Sequence, residues 1–79
     1  MDLEKAEIGA RIRNRRKECH MTGEQLAELV EISPEFLRSI ECGINWLSVR
    51  TLARLSGALY TTTDYLLWGD QSKESEQSL

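Results

Sequence analysis

The sequence predicts an all-α fold of five short helices packed as one domain. Apolar residues recur at intervals of three and four rather than two, which is helical and not strand spacing. Residues that cap helix N-termini, namely Thr22, Ser33, Ser48 and Thr61 or Thr62, stand just before the periodic stretches. At 79 residues the chain buries only about 60 to 65% of its unfolded surface, too little to divide between two cores.

The first helix is predicted over residues 5 to 19, with Ile8, Ile12 and Cys19 on one stripe and His20 or Met21 ending it. Thr22-Gly23-Glu24-Gln25 reads as a capping box, in which the threonine hydroxyl accepts from an orphan amide and the glutamine side chain reaches back. It opens a second helix over 23 to 30 that buries Leu26, Ala27 and Val30. After a turn at Glu31 and Ile32, Ser33 caps a third helix with Pro34 at its first position, where a missing N–H is no loss. Leu37 and Ile40 face inward, and Gly43 closes the helix in a left-handed conformation. Ser48 caps a fourth helix with Val49, Leu52, Ala53, Ser56 and Leu59 expected on its inner face. A fifth, Asp64-Tyr65-Leu66-Leu67-Trp68, ends at Gly69. The domain is thus expected over 5 to 69, and residues 70 to 79, DQSKESEQSL, are expected to form a polar, disordered tail.

Composition narrows the functional classes. The longest apolar run falls far short of the ~18 residues of a membrane span, and the opening MDLEKAEIG mixes charge with apolar residues where a secretory signal needs an unbroken apolar run. A cytoplasmic location without membrane contact is expected. Cys19 and Cys42 are 23 positions apart, which suits reduced thiols, and with His20 they make only a weak case for metal or a redox switch. The lone histidine has no nucleophile partner, and no phosphate loop appears, so neither enzymatic activity nor a cofactor is expected. Net charge is −3, unfavourable for nucleic acid in total, yet Arg11, Arg13, Arg15, Arg16 and Lys17 crowd seven positions. That run reads equally as a solvated helix face or a phosphate-facing patch.

Two short helices joined by a tight turn and backed by a longer first helix form a helix-turn-helix arrangement, whose second helix can enter the major groove of DNA. The run from Ile8 to Gly69 resembles the Cro and phage-repressor (XRE-like) type of bacterial helix-turn-helix domain. The residues that carry the resemblance are Ile8-Gly9, Ile12, Arg16, Met21-Thr22, Leu26-Ala27, Ile32-Ser33, Leu37, Ile40-Glu41, Gly43, Ser48, Leu52, Leu59 and Asp64-Tyr65-Leu66-Leu67. The resemblance implies a five-helix, lambda-repressor-like domain that binds operator DNA as a dimer and regulates transcription without cofactor.

Glu41 falls on the inner stripe of the third helix, where a carboxylate is costly unless paired. Periodicity leaves Arg15 and Arg16 equally placed as partners; the resemblance selects Arg16, with Arg15 expected to snorkel outward. The resemblance further implies that Pro34, Glu35, Phe36, Arg38 and Ser39 face the bases. Glutamate accepts from cytosine, serine pairs with several base edges and an apolar group packs on a thymine methyl. The alternative is that Glu35 complements the helix dipole and Phe36 staples onto a neighbouring helix. Backbone phosphates are expected at Thr22, Gly23, Ser33, Asn45 and Trp46, at or near helix N-termini. Leu67 and Trp68 are expected to contribute to the dimer surface.

Several positions depart from the family pattern. Gly23 stands where glutamine is frequent, Ile44 and Asn45 where basic residues are, Cys42 where a polar or basic residue is usual, Leu47 where proline is, and Glu31 where glycine is common. The function expected is a sequence-specific regulator, a repressor, bound as a homodimer to a palindromic double-stranded operator. The alternative is a protein-interaction module, or an antitoxin-type protein with a protein partner, that retains the fold.

Overall fold

Four of the helices begin at a hydroxyl. In the computed structural model, which describes residues 2–70, Thr22, Ser33, Ser48 and Thr62 each accept a hydrogen bond from the backbone amide three residues on. These caps satisfy donors that a helix leaves without partners, and each stabilises its helix by about 1 kcal/mol. The described residues form α1 (Lys5–Glu18), α2 (Gly23–Val30), α3 (Pro34–Glu41), α4 (Val49–Ala58) and α5 (Thr63–Trp68), with no strand among them. Thr22 and Gln25 complete the capping box of α2 reciprocally, at 3.1 and 2.8 Å. The tail expected over 70 to 79 lies outside the described residues, save Asp70.

All five helices supply the core. Ile8 and Ile12 of α1, Leu26 and Val30 of α2, Leu37 and Ile40 of α3, Leu55 of α4 with its C-cap Leu59, and Leu66 of α5 are fully buried. Removing each such side chain from water stabilises the fold by roughly 1.5 to 3 kcal/mol. α1 packs on α3 and α5, α2 on α3 and α4, and α4 on α5. None of the described helices is long and apolar enough to cross a membrane.

The inner face of α4 differs from the expected one. Thr51, Leu55 and Leu59 are buried, while Val49 is 82% exposed and Ala53 also faces solvent. At about 100° per residue, Val49 and Ala53 lie about 120° and 160° around the helix from Leu55. Two apolar stripes overlap in VRTLARLSGAL, and the contacts of α4 with α2 and α5 select the one centred on Leu55.

Two glycines set how closely α1 can approach α3. A Cβ on Gly9 would overlap the Ile40 carbonyl oxygen and lie 2.7 Å from that of Glu41. Gly43 follows the C-cap of α3 with φ of 76°, and a Cβ there would lie 2.8 Å from the Cα of Ala6. Three other residues end helices in left-handed conformations without being glycine: His20 after α1, Glu31 after α2 and Tyr60 after α4. For Glu31, the family's glycine position, this means a strained backbone rather than a reshaped turn.

Candidate nucleic-acid interface

The close crossing of α1 and α3 brings Arg16 onto Glu41. Arg16 Nε donates to Glu41 Oε2 at 2.8 Å and Nη2 to Oε1 at 3.0 Å, a bidentate pair, and Nη1 donates to the Met21 carbonyl at 3.0 Å. The side chains are only 14% and 8% exposed, so each charge depends on the other for solvation. The hydrogen bond with Glu41 raises the Arg16 pKa; burial opposes this, and the charges of Glu41 and, less, Glu24 reinforce it. The pair also joins the N-terminal side of α2, through Met21, to the C-terminal end of α3.

α3 is therefore held on one side by Leu37, Ile40 and Glu41, and its other side is open. Glu35 and Arg38 are exposed, and Pro34 is half-buried. Phe36 is half-buried against the core. Ser39 Oγ donates to the Phe36 carbonyl at 2.6 Å and accepts from Asn45 Nδ2 at 2.8 Å. The Ser39 carbonyl accepts from the amides of Ile44 and Asn45, so Ser39 anchors the loop between α3 and α4.

At the start of α2, Thr22 is exposed and the capping box leaves the amides of Gly23 and Glu24 ahead of the first intrahelical bond. Ser33 Oγ is engaged in capping, accepting from the Phe36 amide at 3.0 Å. Trp46 is 50% exposed, and Lys5 Nζ sits 5.9 Å from its ring centroid, within cation–π range. Leu67 is half-buried against the core and Trp68 is half-buried at the end of α5.

The run RIRNRRK is neither uniformly solvated nor uniformly a phosphate patch. Arg11 Nη1 donates to the carbonyls of Leu66 and Leu67 at 3.2 and 3.0 Å, and Arg15 Nε to that of Leu59 at 2.8 Å. These carbonyls belong to the last turns of α5 and α4, where acceptors lack partners and the helix dipole favours cations. Arg15 thus does not simply snorkel outward as expected; it ties α1 to the end of α4, also reaching the Tyr60 carbonyl at 3.2 Å. Only Arg13 and Lys17 of the five stay exposed. The spacing of Arg11 and Arg15, four apart beside the Ile8 and Ile12 stripe, is the signal that could have located these ties.

Two adjacent open clefts flank the Arg16–Glu41 pair. One is lined by Arg16, Gly23, Glu24, Pro34, Leu37, Arg38 and Glu41, the other by Arg13, Arg16, Arg38, Glu41 and Cys42. The sequence marks Arg13 only as part of the basic run, and the fold turns it to the second cleft. Cys42 is exposed, Cys19 Sγ faces the Leu59 carbonyl at 3.6 Å, and among the described residues no group of three His, Cys, Asp or Glu could hold a metal.

A short α2, a tight turn and an α3 with one face buried and one open define a helix-turn-helix domain. The helix-turn-helix family model matches residues 12–66. The P22 c2 repressor, solved in complex with a synthetic operator, is 35% identical with a TM-score of 0.77, over 80% of this chain and 96% of that one. SinR of Bacillus subtilis, described as a master regulator for biofilm formation and solved in complex with DNA, is 32% identical with a TM-score of 0.71, over 75% and 95%. The clp gene regulator ClgR of Corynebacterium glutamicum is 27% identical with a TM-score of 0.79, over 94% and 79%. No curated protein matches the chain in sequence. The chain belongs to the helix-turn-helix family of the Cro and phage-repressor type, the DNA-binding domains of transcription regulators.

Proposed function

We propose that this chain is a cytoplasmic repressor that binds a near-palindromic operator as a homodimer, each protomer laying α3 in a major groove. The observation that carries this reading is the two-sided character of α3. Its inner side is fixed by Leu37, Ile40 and the Glu41 pair, while Glu35 and Arg38 project from its open side.

In this reading Glu35 accepts from a cytosine amino group and Arg38 reaches guanine or a phosphate. Pro34 and the exposed edge of Phe36 offer apolar contact to thymine methyls, and Ser39 acts near the bases while holding Asn45. The start of α2 at Thr22 and Gly23, the start of α3 at Ser33, and the loop at Asn45 and Trp46 meet the backbone, fixing the register of the protein on the duplex. Leu67 and Trp68 contribute to the dimer surface, setting the two α3 helices about 34 to 36 Å apart.

Selection from a random duplex library at low salt tests the proposal. Enrichment of an inverted repeat with half-sites one helical turn apart is expected; a failure to enrich any site rejects it.

A second reading, a module that binds a protein partner through the same fold, is favoured by the exposure of Ile44, Trp46 and Val49 in and after one loop. A structure of SinR is a complex with SinI, at 28% identity to this chain. Salt separates the two readings, because DNA binding weakens with a slope of about −0.9 per neutralised phosphate, whereas an apolar contact does not.

A further inference from the structure

We propose that Arg13 of α1 and Arg38 of α3 together hold one backbone phosphate of the duplex, in the cleft between the two helices. This deepens the DNA-binding reading and rests on it.

The cleft is lined by three guanidiniums, one carboxylate and the Cys42 thiol. Glu41 is already saturated by Arg16, both of its oxygens accepting. The cleft therefore retains two positive charges, Arg13 and Arg38. Both are exposed, and neither guanidinium has a hydrogen bond or ion pair among the described residues. Arg11 and Arg15, on the same helix, are engaged with helix C-termini, so freedom from partners is not general to the cations of α1.

The backbone crossing that brings Arg13 and Arg38 to one cleft is close. The Cα of Gly9 lies against the Ile40 and Glu41 carbonyls, and Arg13 follows Gly9 by one turn while Arg38 precedes Glu41 by one. Two like charges facing one cleft repel, and an anion there reverses the sign of that interaction. Glu41 is the one acidic residue that lines the cleft with Arg13; Glu24 lines the adjacent cleft with Arg38, and the exposed Glu35, three residues before Arg38 on α3, lines neither. A phosphodiester offers one negative charge and two acceptor oxygens, which suits two guanidinium forks. With the open side of α3 in the groove, Arg38 marks where the flanking strand passes, and Arg13 is the α1 side chain that reaches the same place. The contact compensates for Gly23 and Ile44, which offer no side-chain donor to phosphate.

The test is a methylphosphonate scan of the enriched operator, in which single phosphates are neutralised, using the full chain and its Arg13→Gln, Arg38→Gln and double variants. Both residues are exposed, so the variants are expected to melt like the parent. For the parent, neutralising one phosphate per half-site should weaken binding, and the double variant should be insensitive at that position. The double variant's salt slope should fall by about 0.9 per half-site, one phosphate and not two, with a proportional loss on unrelated duplex. Arg13→Lys should restore the slope, and Lys17→Gln, outside the cleft, should leave the scan unchanged. If the parent binds the operator while Arg13→Gln binds it as tightly as the parent and the double variant has the scan and slope of Arg38→Gln alone, the Arg13 site is overturned and DNA binding stands. If the parent binds no duplex with salt dependence, both fall.

Discussion

Arg16 and Glu41 lie 25 positions apart and meet in a bidentate ion pair at 2.8 and 3.0 Å, almost shielded from water. The pair is the only side-chain bridge from α1 to α3 among the ion pairs of the described residues. It therefore couples the stability of the domain to the orientation of α3.

Glu41→Ala leaves a guanidinium buried without its partner and should destabilise the domain by about 3 to 5 kcal/mol, read from urea denaturation. Replacing both residues by apolar ones of similar volume should cost much less, since no charge is then stranded. The raised pKa of Arg16 adds no pH dependence near neutrality. A cation whose folded pKa is raised contributes fully below its unfolded pKa and loses that contribution only as pH rises through the folded one, far into alkali. A parental stability unchanged by Glu41→Ala would remove the pair from its structural role.

Gly9→Ala places a methyl group against the Ile40 and Glu41 carbonyls, backbone atoms that cannot rotate away. Helix propensity favours alanine by about 1 kcal/mol, but overpacking against a backbone costs about 3 kcal/mol or more, so overlap wins. Thermal unfolding should show a net loss of at least about 2 kcal/mol; a gain would mean that α1 and α3 can separate freely.

Glu31→Gly should act in the opposite direction. Glu31 adopts φ of 62°, which costs an L-residue about 1 to 2 kcal/mol, offset in part by glycine's greater unfolded-state entropy. Its contact with Arg54, at 3.8 Å on the surface, adds little to offset the gain. A net stabilisation of about 0.5 to 1 kcal/mol is expected, a rise of a few degrees in Tm. An unchanged or lowered Tm would indicate that the left-handed turn carries no strain.

Glu35→Ala should relax base preference at one position of each half-site by about 1 to 3 kcal/mol and strengthen binding to unrelated duplex, because a charge that repels phosphate is gone. Competition among operators altered one base pair at a time measures this. Equal losses at every position would assign Glu35 to the dipole of α3 instead of a base.

Local chemistry determined much of this protein from its sequence alone. The caps at Thr22, Ser33 and Ser48, the proline at the head of α3, the close at Gly43, and the inward Leu26, Ala27, Val30, Leu37 and Ile40 all follow from interactions within one or two turns. Whatever depends on the relative placement of helices did not. Arg15 and Arg16 are equivalent by periodicity, and the crossing permitted by Gly9 decides that Arg16 meets Glu41 while Arg15 meets the end of α4. The inner face of α4 expected from the sequence included Val49 and Ala53, whereas its neighbours bury the stripe of Thr51, Leu55 and Leu59. Arg11 and Arg15 looked like surface charge because the carbonyls they bond lie 44 or more positions away. Hydrogen bonds and hydrophobic periodicity along a helix are encoded in adjacent residues, whereas the partner of a long cation is set by which helix end the packed core carries to it.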